Sequence, residues 1–124
     1  MKVKRTTLDS ILPENVQVGV CKVDVEGHEF NVLKGAETSL RARRIRDIIF
    51  EDLQSYPSPV HQMLLDYGYT LFALHMQLLK PHLEIASKDT TFQARDGLNY
   101  LATLQPERAR ERFKRFGWQS LRPL

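Results

Sequence analysis

Cysteine, long apolar runs and closely spaced glycines are all scarce in this chain of 124 residues. Cys21 is its single cysteine, which excludes an internal disulfide and a metal cage built from cysteines. We expect Cys21 to be a small buried hydrophobic side chain. The six glycines lie at positions 19, 27, 35, 68, 97 and 117, so no two are closer than eight residues. That spacing excludes a G-x-G loop, in which absent side chains let the backbone approach a nucleotide.

The chain also lacks a run of about 18 apolar residues, the length that a membrane-spanning helix needs. Residues 1–5 carry positive charge, but no apolar stretch that could form a signal peptide follows them. We therefore predict a cytoplasmic protein that makes no use of a membrane.

The composition is that of one globular domain, with 42% hydrophobic and 27% charged residues. The net charge of +3 is concentrated at the C-terminus, because residues 106–124 hold six Lys or Arg against two Glu. This stretch could form an anionic or nucleic-acid surface, but it equally suits the solvated face of a terminal helix on which Phe113 and Phe116 pack. We favour the helix, predict no nucleic-acid binding, and divide the chain into a domain at 1–105 and a basic helical tail at 106–124.

Hydrophobic patterning predicts an alternation of strands and helices along the domain. The expected elements are a strand at 16–25, a helix at about 28–43, a strand at 45–50, a helix capped by Ser58 with Pro59 at its first position, and strands at 69–79 and 98–103. Such an order implies an α/β fold with a parallel sheet, in which the last strand is antiparallel. The segment at 80–97 is long for a loop and indicates unseen local structure or a functional lid.

Polar residues follow the first two predicted strands, at the sheet edge where open α/β folds carry their chemistry. Asp24 lies at the end of the first strand, Glu26 and His28 follow that strand, and Glu51 comes directly after the second. Asp24 and Glu26 would point the same way from an extended backbone. Each residue also has a structural interpretation: Glu26 and Glu29 suit the positive end of a helix, His28 suits a surface position, and Glu51 could simply be solvated. Two carboxylates and one histidine are too few for a persuasive metal site, so we predict none.

Several segments, in order, resemble the signature of FkbM-type methyltransferases, which use S-adenosylmethionine. The residues are K-V-D-V-E-G-H-E at 22–29 and V-L-K-G-A at 32–36, with T-T-L-D-S at 6–10, I-I-F-E at 48–51, G-Y-T-L-F at 68–72 and N-Y-L-A at 99–102. The resemblance covers roughly residues 3 to 103. It implies the C-terminal half of a class I, Rossmann-like methyltransferase: strands four to seven of a sheet whose order in the family is 3-2-1-4-5-7-6.

The resemblance also implies O-methyl transfer to a hydroxyl of a small molecule or sugar. Asp24 would lie nearest the chemistry, orienting or deprotonating that hydroxyl, with Glu26, His28 and Glu51 as further candidates. In the family, the cofactor sits on a Gly-rich loop after the first strand, and no counterpart of that strand exists here. We therefore assign no cofactor-binding residues and expect the isolated chain to be inactive.

Two other interpretations remain open at this point. The polypeptide could be a non-catalytic remnant or an interaction module, or it could be one half of a split methyltransferase. Without a neighbouring first strand, the strand at 18–25 would form an unpaired sheet edge, and such edges pair or aggregate. We therefore expect a homodimer or a complex with a complementary N-terminal half, unless residues 3–8 fold back over this edge.

Overall fold

One sheet of five strands organises the computed structural model, which describes residues 1–93 and 96–115. The elements are α1 (Leu8–Ile11), β1 (Val18–Val23), α2 (Glu29–Lys34), α3 (Glu37–Arg41), β2 (Ile45–Glu51), α4 (Pro59–Asp66), β3 (Thr70–Met76), β4 (Pro81–Ile85), β5 (Asn99–Thr103) and α5 (Pro106–Phe113). The strand order across the sheet is β1-β2-β5-β3-β4. The predicted α/β class is therefore confirmed.

The strand directions bring three carboxyl ends to one edge of the sheet. β1 pairs in parallel with β2, whereas β5 lies antiparallel between β2 and β3. It follows that β1, β2 and β3 all run the same way, although three of the four pairings in the sheet are antiparallel. The prediction of an antiparallel last strand is correct.

The two faces of the sheet are covered unequally. On the first, which we call the helical face, α2, α3 and α4 contribute Leu33, Leu40 and Leu64 to a core with Ile48 and Phe50. All five side chains are at most 2% exposed. The second, which we call the open face, has a smaller cluster in which α5 packs over β3 and β5; its members are Phe72, Leu101 and Ala109, with Ile49, Leu83 and Phe113 alongside.

The single helix predicted at 28–43 is wrong, because the chain breaks into α2 and α3 at Gly35 and Ala36. α1 packs against this break: the backbone N–H of Asp9 donates to the carbonyl of Gly35 at 3.0 Å. The Asp9 carboxylate then accepts hydrogen bonds from the backbone N–H groups of Thr38 and Ser39 at 2.8 and 2.9 Å, and from the Ser39 hydroxyl at 2.6 Å. Asp9 thus caps α3 from a distant part of the chain. These contacts join the T-L-D and V-L-K-G-A segments of the signature.

Local signals at α4 give the predicted structure. The Ser58 hydroxyl caps this helix, Pro59 occupies its first turn, and Gly68 follows its end with φ 86°. The expectation of further local structure in the segment at 80–97 is confirmed, since it contains β4, which pairs with residues 72–76 of β3. Cys21 is only half-buried, because β1 is an edge strand.

The edge of β1 is free of strand pairing on its outer side within the described residues. Residues 3–8 do not fold back over it, because α1 packs near α3 instead. Among residues 1–93 and 96–115, no helix has both the length and the apolar character that crossing a bilayer would require.

Candidate functional site

Acidic side chains gather where the parallel strands end. Asp24 follows β1, and Glu51 is the last residue of β2. β1 and β2 pair in register at their carboxyl ends, with Val23 opposite Phe50. The predicted proximity of the two strand ends is therefore correct, and the site is defined by the turn after β1 and the segment after β2.

The turn after β1 has an unusual backbone that its sequence explains. Glu26 and Gly27 both adopt positive φ, at 48° and 94°. Glycine adopts this region without strain, and nothing lies within 4 Å of the position where a Cβ would stand on Gly27. The backbone N–H of Gly27 donates to Oε1 of Glu29 at 3.2 Å. Glu29 is only 7% exposed, so it acts here as a brace for the turn.

A depression of about 350 Å³ lies between this turn and the segment after β2. Its lining consists of Glu26, Gly27, Glu29, Phe30, Glu51, Asp52, Leu53, Gln54 and Val60. Four of these residues are acidic and none is lysine or arginine. Such a lining suits hydroxyl groups and positive charge, and it disfavours an anionic ligand.

The four predicted site residues separate into two pairs. Glu26 and Glu51 line the depression. Asp24 lies outside that lining, with a side chain that is 57% exposed and forms an ion pair with Lys22 at 3.2 Å. His28 is also exposed, and it occupies the N-cap position of α2 without a side-chain capping bond. Asp24 is therefore an accessible carboxylate at this edge outside the depression, and His28 does not cap its helix.

A buried polar network that sequence reasoning missed holds the segment after β2. Asp52 is 7% exposed; its carboxylate accepts hydrogen bonds from the Ser58 hydroxyl and, at 2.8 Å, from the backbone N–H of Gln54. The Ser58 backbone N–H donates to Nδ1 of His61 at 2.9 Å, which puts the proton of a neutral ring on Nε2. Ser58 and His61 sit three residues apart at a helix start, and this capping-box spacing is the sequence signal for part of the network.

His61 is fully buried and acts as a structural residue. Its Nε2 is buried without a hydrogen-bond partner among the described residues. Burial lowers the pKa of His61, while the nearby Asp52 carboxylate opposes that shift. The ring lies 4.3 Å from the ring of Tyr100, edge to face, and 5.7 Å from Phe50. A neutral, enclosed imidazole of this kind packs the core and does not exchange protons with a ligand.

A second histidine fastens the end of β3 to the following segment. Nδ1 of His75 contacts the Asp96 carboxylate at 3.0 Å, and Nε2 contacts Glu84 at 2.7 Å. Burial disfavours the charged ring, but the hydrogen bonds to Asp96 and Glu84 outweigh it and raise the pKa of His75. Asp96 also accepts from the backbone N–H groups of Met76 and Gln93 at 2.8 and 2.7 Å. Although burial works against its charge, these bonds lower the pKa of Asp96 to about 2.

The segment that Asp96 holds beside β3 places the side chain of Phe92 over the core. Phe92 packs against Tyr100 with ring centroids 5.2 Å apart, and against His75 at 5.4 Å. Burial raises the pKa of Tyr100 to about 12, with the Asp52 and Tyr56 side chains adding to the shift. Tyr100 is therefore an un-ionised core residue.

The part of the chain that the structure describes contains no candidate metal-binding site. No three His, Cys, Asp or Glu side chains come together there in a way that could hold a metal ion. The carboxyl edge of the sheet carries the exposed carboxylate of Asp24 and a small acidic depression, and packed core residues lie beneath both. This arrangement can bind a hydroxyl group and accept its proton.

Comparison with known families gives one match. The family model of the methyltransferase FkbM domain matches residues 1–71, which is more than half of the chain. The matched range begins ahead of α1 and ends at the start of β3, and it includes Asp24, Glu26, His28 and Glu51. No curated protein matches the chain, and no solved structure does.

Proposed function

The chain belongs to the FkbM methyltransferase domain family, and we propose that it supplies the acceptor-binding half of an O-methyltransferase that acts on a hydroxyl of a small molecule or sugar. The family match carries this proposal. It is supported by the position of Asp24, Glu26 and Glu51, which lie within the matched residues at the carboxyl edge of the sheet.

We propose further that β1, β2, β3 and β5 correspond to strands four, five, six and seven of a class I methyltransferase sheet. The observed order β1-β2-β5-β3 supports this, because it reads 4-5-7-6 under that correspondence. The antiparallel direction of β5 between two parallel neighbours supports it as well. β4 is then an additional hairpin strand on the outer side of β3.

In this proposal Asp24 orients the acceptor hydroxyl and takes its proton. An ionised carboxylate is an acceptor of hydrogen bonds only, so the hydroxyl would donate to it and become more nucleophilic. Asp24 is exposed enough to reach a ligand, and its carboxylate lies 3.2 Å from the ammonium of Lys22. Glu26 and Glu51 would bind further hydroxyl groups of the acceptor in the depression. His28 is a less favoured alternative base at the same turn.

S-adenosylmethionine is the methyl donor that the family implies, and the residues present do not fit a complete site for it. The donor's amino-acid carboxylate needs hydrogen-bond donors or a cation, whereas the depression is lined by four acidic residues and no basic ones. Gly27 is the only glycine in that lining, so no Gly-rich cradle is formed there. We propose that a complementary polypeptide supplies the cofactor pocket.

A second candidate is an interaction module that keeps half of the fold without catalysis. The outer edge of β1, which pairs with no strand among residues 1–93 and 96–115, favours this alternative, because such an edge can pair with another strand. The two candidates differ in one consequence: only the first requires the Asp24 carboxylate.

Methyl transfer after complementation tests the proposal. The chain would be mixed with the N-terminal, Gly-rich-loop half of a full-length FkbM-family methyltransferase, and radiolabelled methyl transfer to a panel of polyols and sugars would be measured. We expect methyl transfer in the mixture and none with either half by itself. Asp24→Asn should lower the rate of transfer at least about 100-fold, which is the scale of general acid-base catalysis. The matched control is Asp66→Asn, at an exposed aspartate on α4. Activity that survives Asp24→Asn would refute the assigned role.

A further inference from the structure

We propose that the open face of the sheet carries a docking surface for an acidic amphipathic helix of another polypeptide. The surface is the strip beside α5 that no described helix covers, running from Val20 on β1 to Met76 on β3 and Pro81 on β4; we call it the uncovered lane. It forms a groove of about 350 Å³ lined by Val20, Arg46, Asp47, Ile49, Leu74, Met76, Pro81, Leu101, Arg108, Ala109, Arg112 and Phe113. This inference does not depend on methyl transfer.

The solvent-exposed part of the uncovered lane includes apolar side chains. Val20 lies in the middle of β1 and is 56% exposed, and it lines the groove together with Ile49 and Leu101. The register places Val20 opposite Asp47 and Ile49 opposite Leu101, so these side chains share one face of the sheet. An exposed apolar groove that adjoins an unpaired strand edge is characteristic of a surface that receives another polypeptide.

The width of the lane matches one helix. Strands lie about 4.8 Å apart, so the five strands span roughly 19 Å across the face. A helix with its side chains is about 10 Å wide, and helices pack about 8–10 Å apart. α5 covers β3 and β5 through Phe72, Leu101 and Ala109. One further helix can therefore lie beside α5, and there is no room for two.

The charges along the lane specify an acidic occupant. Asp47 is 6% exposed and accepts hydrogen bonds from the Thr103 hydroxyl at 2.6 Å, Nε of Arg46 at 2.9 Å and Nη1 of Arg108 at 3.3 Å. This one carboxylate faces two guanidinium groups. Arg112 lines the same groove and has no ion pair among the described residues. The border of the lane thus carries a surplus of positive charge that a row of Asp or Glu side chains would neutralise.

The same charges disfavour the two occupants that this chain itself could provide. A second copy that docked its own lane symmetrically would bring Arg46, Arg108 and Arg112 against their equivalents. Residues 116–124 contain Arg122 but no acidic residue, so they offer no complement either. A separate acidic helix satisfies both the apolar floor and the basic border.

A pair of synthetic peptides of 18 residues tests the inference on the intact chain. Both carry leucines at helical spacing on one face; the positions flanking that face are glutamate in one peptide and lysine in the other. Fluorescence anisotropy would give the dissociation constants. We expect the glutamate peptide to bind more tightly, with a dissociation constant that rises with salt. Val20→Ser should weaken it about tenfold by removing apolar contact, and Arg112→Glu should reverse the preference in favour of the lysine peptide.

The matched control is Lys34→Glu, an equal change of charge on α2 at the helical face, which should leave both dissociation constants unchanged. Circular dichroism checks that each variant is folded, and Arg112→Glu keeps the test valid if Val20→Ser unfolds the edge strand. Equal binding of the two peptides, no binding of either, or a homodimer that Val20→Ser dissociates would each overturn the proposal.

Discussion

Removing the Asp9 carboxylate should destabilise the fold although Asp9 lies far from the candidate site. The carboxylate receives three hydrogen bonds, from the Thr38 and Ser39 backbone and from the Ser39 hydroxyl. Ser39 is fully buried, so Asp9→Ala removes a hydrogen-bond partner from its backbone N–H and from its hydroxyl. α3 also loses its N-terminal acceptor, because Ala36 at the N-cap has no side chain that could replace it.

The expected cost is about 2 kcal/mol. Loss of a helix cap costs roughly 0.5–2 kcal/mol, and an unsatisfied buried polar group costs roughly 1–3 kcal/mol. We take a value within both ranges because Asp9 itself is only half-buried, so water screens part of the interaction. For a domain of this size, that change would lower the melting temperature by roughly 8 °C.

Chemical denaturation of wild type, Asp9→Ala and the control Asp66→Ala would measure this cost. Asp66 is exposed and makes a single side-chain hydrogen bond with Gln62, so its loss should change the free energy of unfolding by less than about 0.5 kcal/mol. Burial opposes the charge of Asp9, but its hydrogen bonds outweigh burial and lower its pKa below 3.8. The stabilisation is therefore complete above about pH 4 and disappears as the pH falls through the folded-state pKa. A cost for Asp9→Ala no larger than that of the control would refute the reasoning.

Three further predictions concern the support beneath the site. Burial opposes the charged form of His75, but its hydrogen bonds to Asp96 and Glu84 raise its pKa, so its stabilisation is complete below pH 6.5 and is lost as the pH rises through the folded-state value. The hydrogen-exchange protection factors of residues 86–93, which are corrected for the intrinsic rise of exchange with pH, should therefore fall at alkaline pH, and His75→Gln should remove that fall. Phe50→Ala should cost about 3–5 kcal/mol in thermal denaturation, because Phe50 is 1% exposed in the main core. Gly68→Ala should cost about 1 kcal/mol by the same measurement, since Gly68 has φ 86°.

The sequence predicted the elements whose causes are local. The adjacent residues Ser58 and Pro59 mark the start of α4, and apolar runs mark β1 and β2. Elements with distant causes were missed. α1 has only four residues and is held through Asp9 by contacts about 30 positions away, while the short strand β4 is defined by its pairing with β3. The break at Gly35 also depends on α1 and not on the helical pattern alone.

The candidate site was predicted in part for the same reason. Strand ends could be read from the sequence, so Glu26 and Glu51 were placed at one edge of the sheet, and both line one depression. The role of Asp52 could not be inferred, because it depends on Ser58 returning to the strand end. The contact of His75 with Asp96 joins residues 21 positions apart, across a hairpin that no pattern indicated.

Isothermal titration with S-adenosylmethionine tests the central claim most directly, which is that this FkbM-family chain forms an acceptor-binding half and needs a complementary half for the cofactor. The chain would be titrated alone and after mixing with the Gly-rich-loop half used for complementation, which is also titrated by itself. We predict no saturable heat with the lone chain, and micromolar binding in the mixture that neither half gives separately. Saturable micromolar binding by the lone chain, or none in the mixture, would contradict the claim.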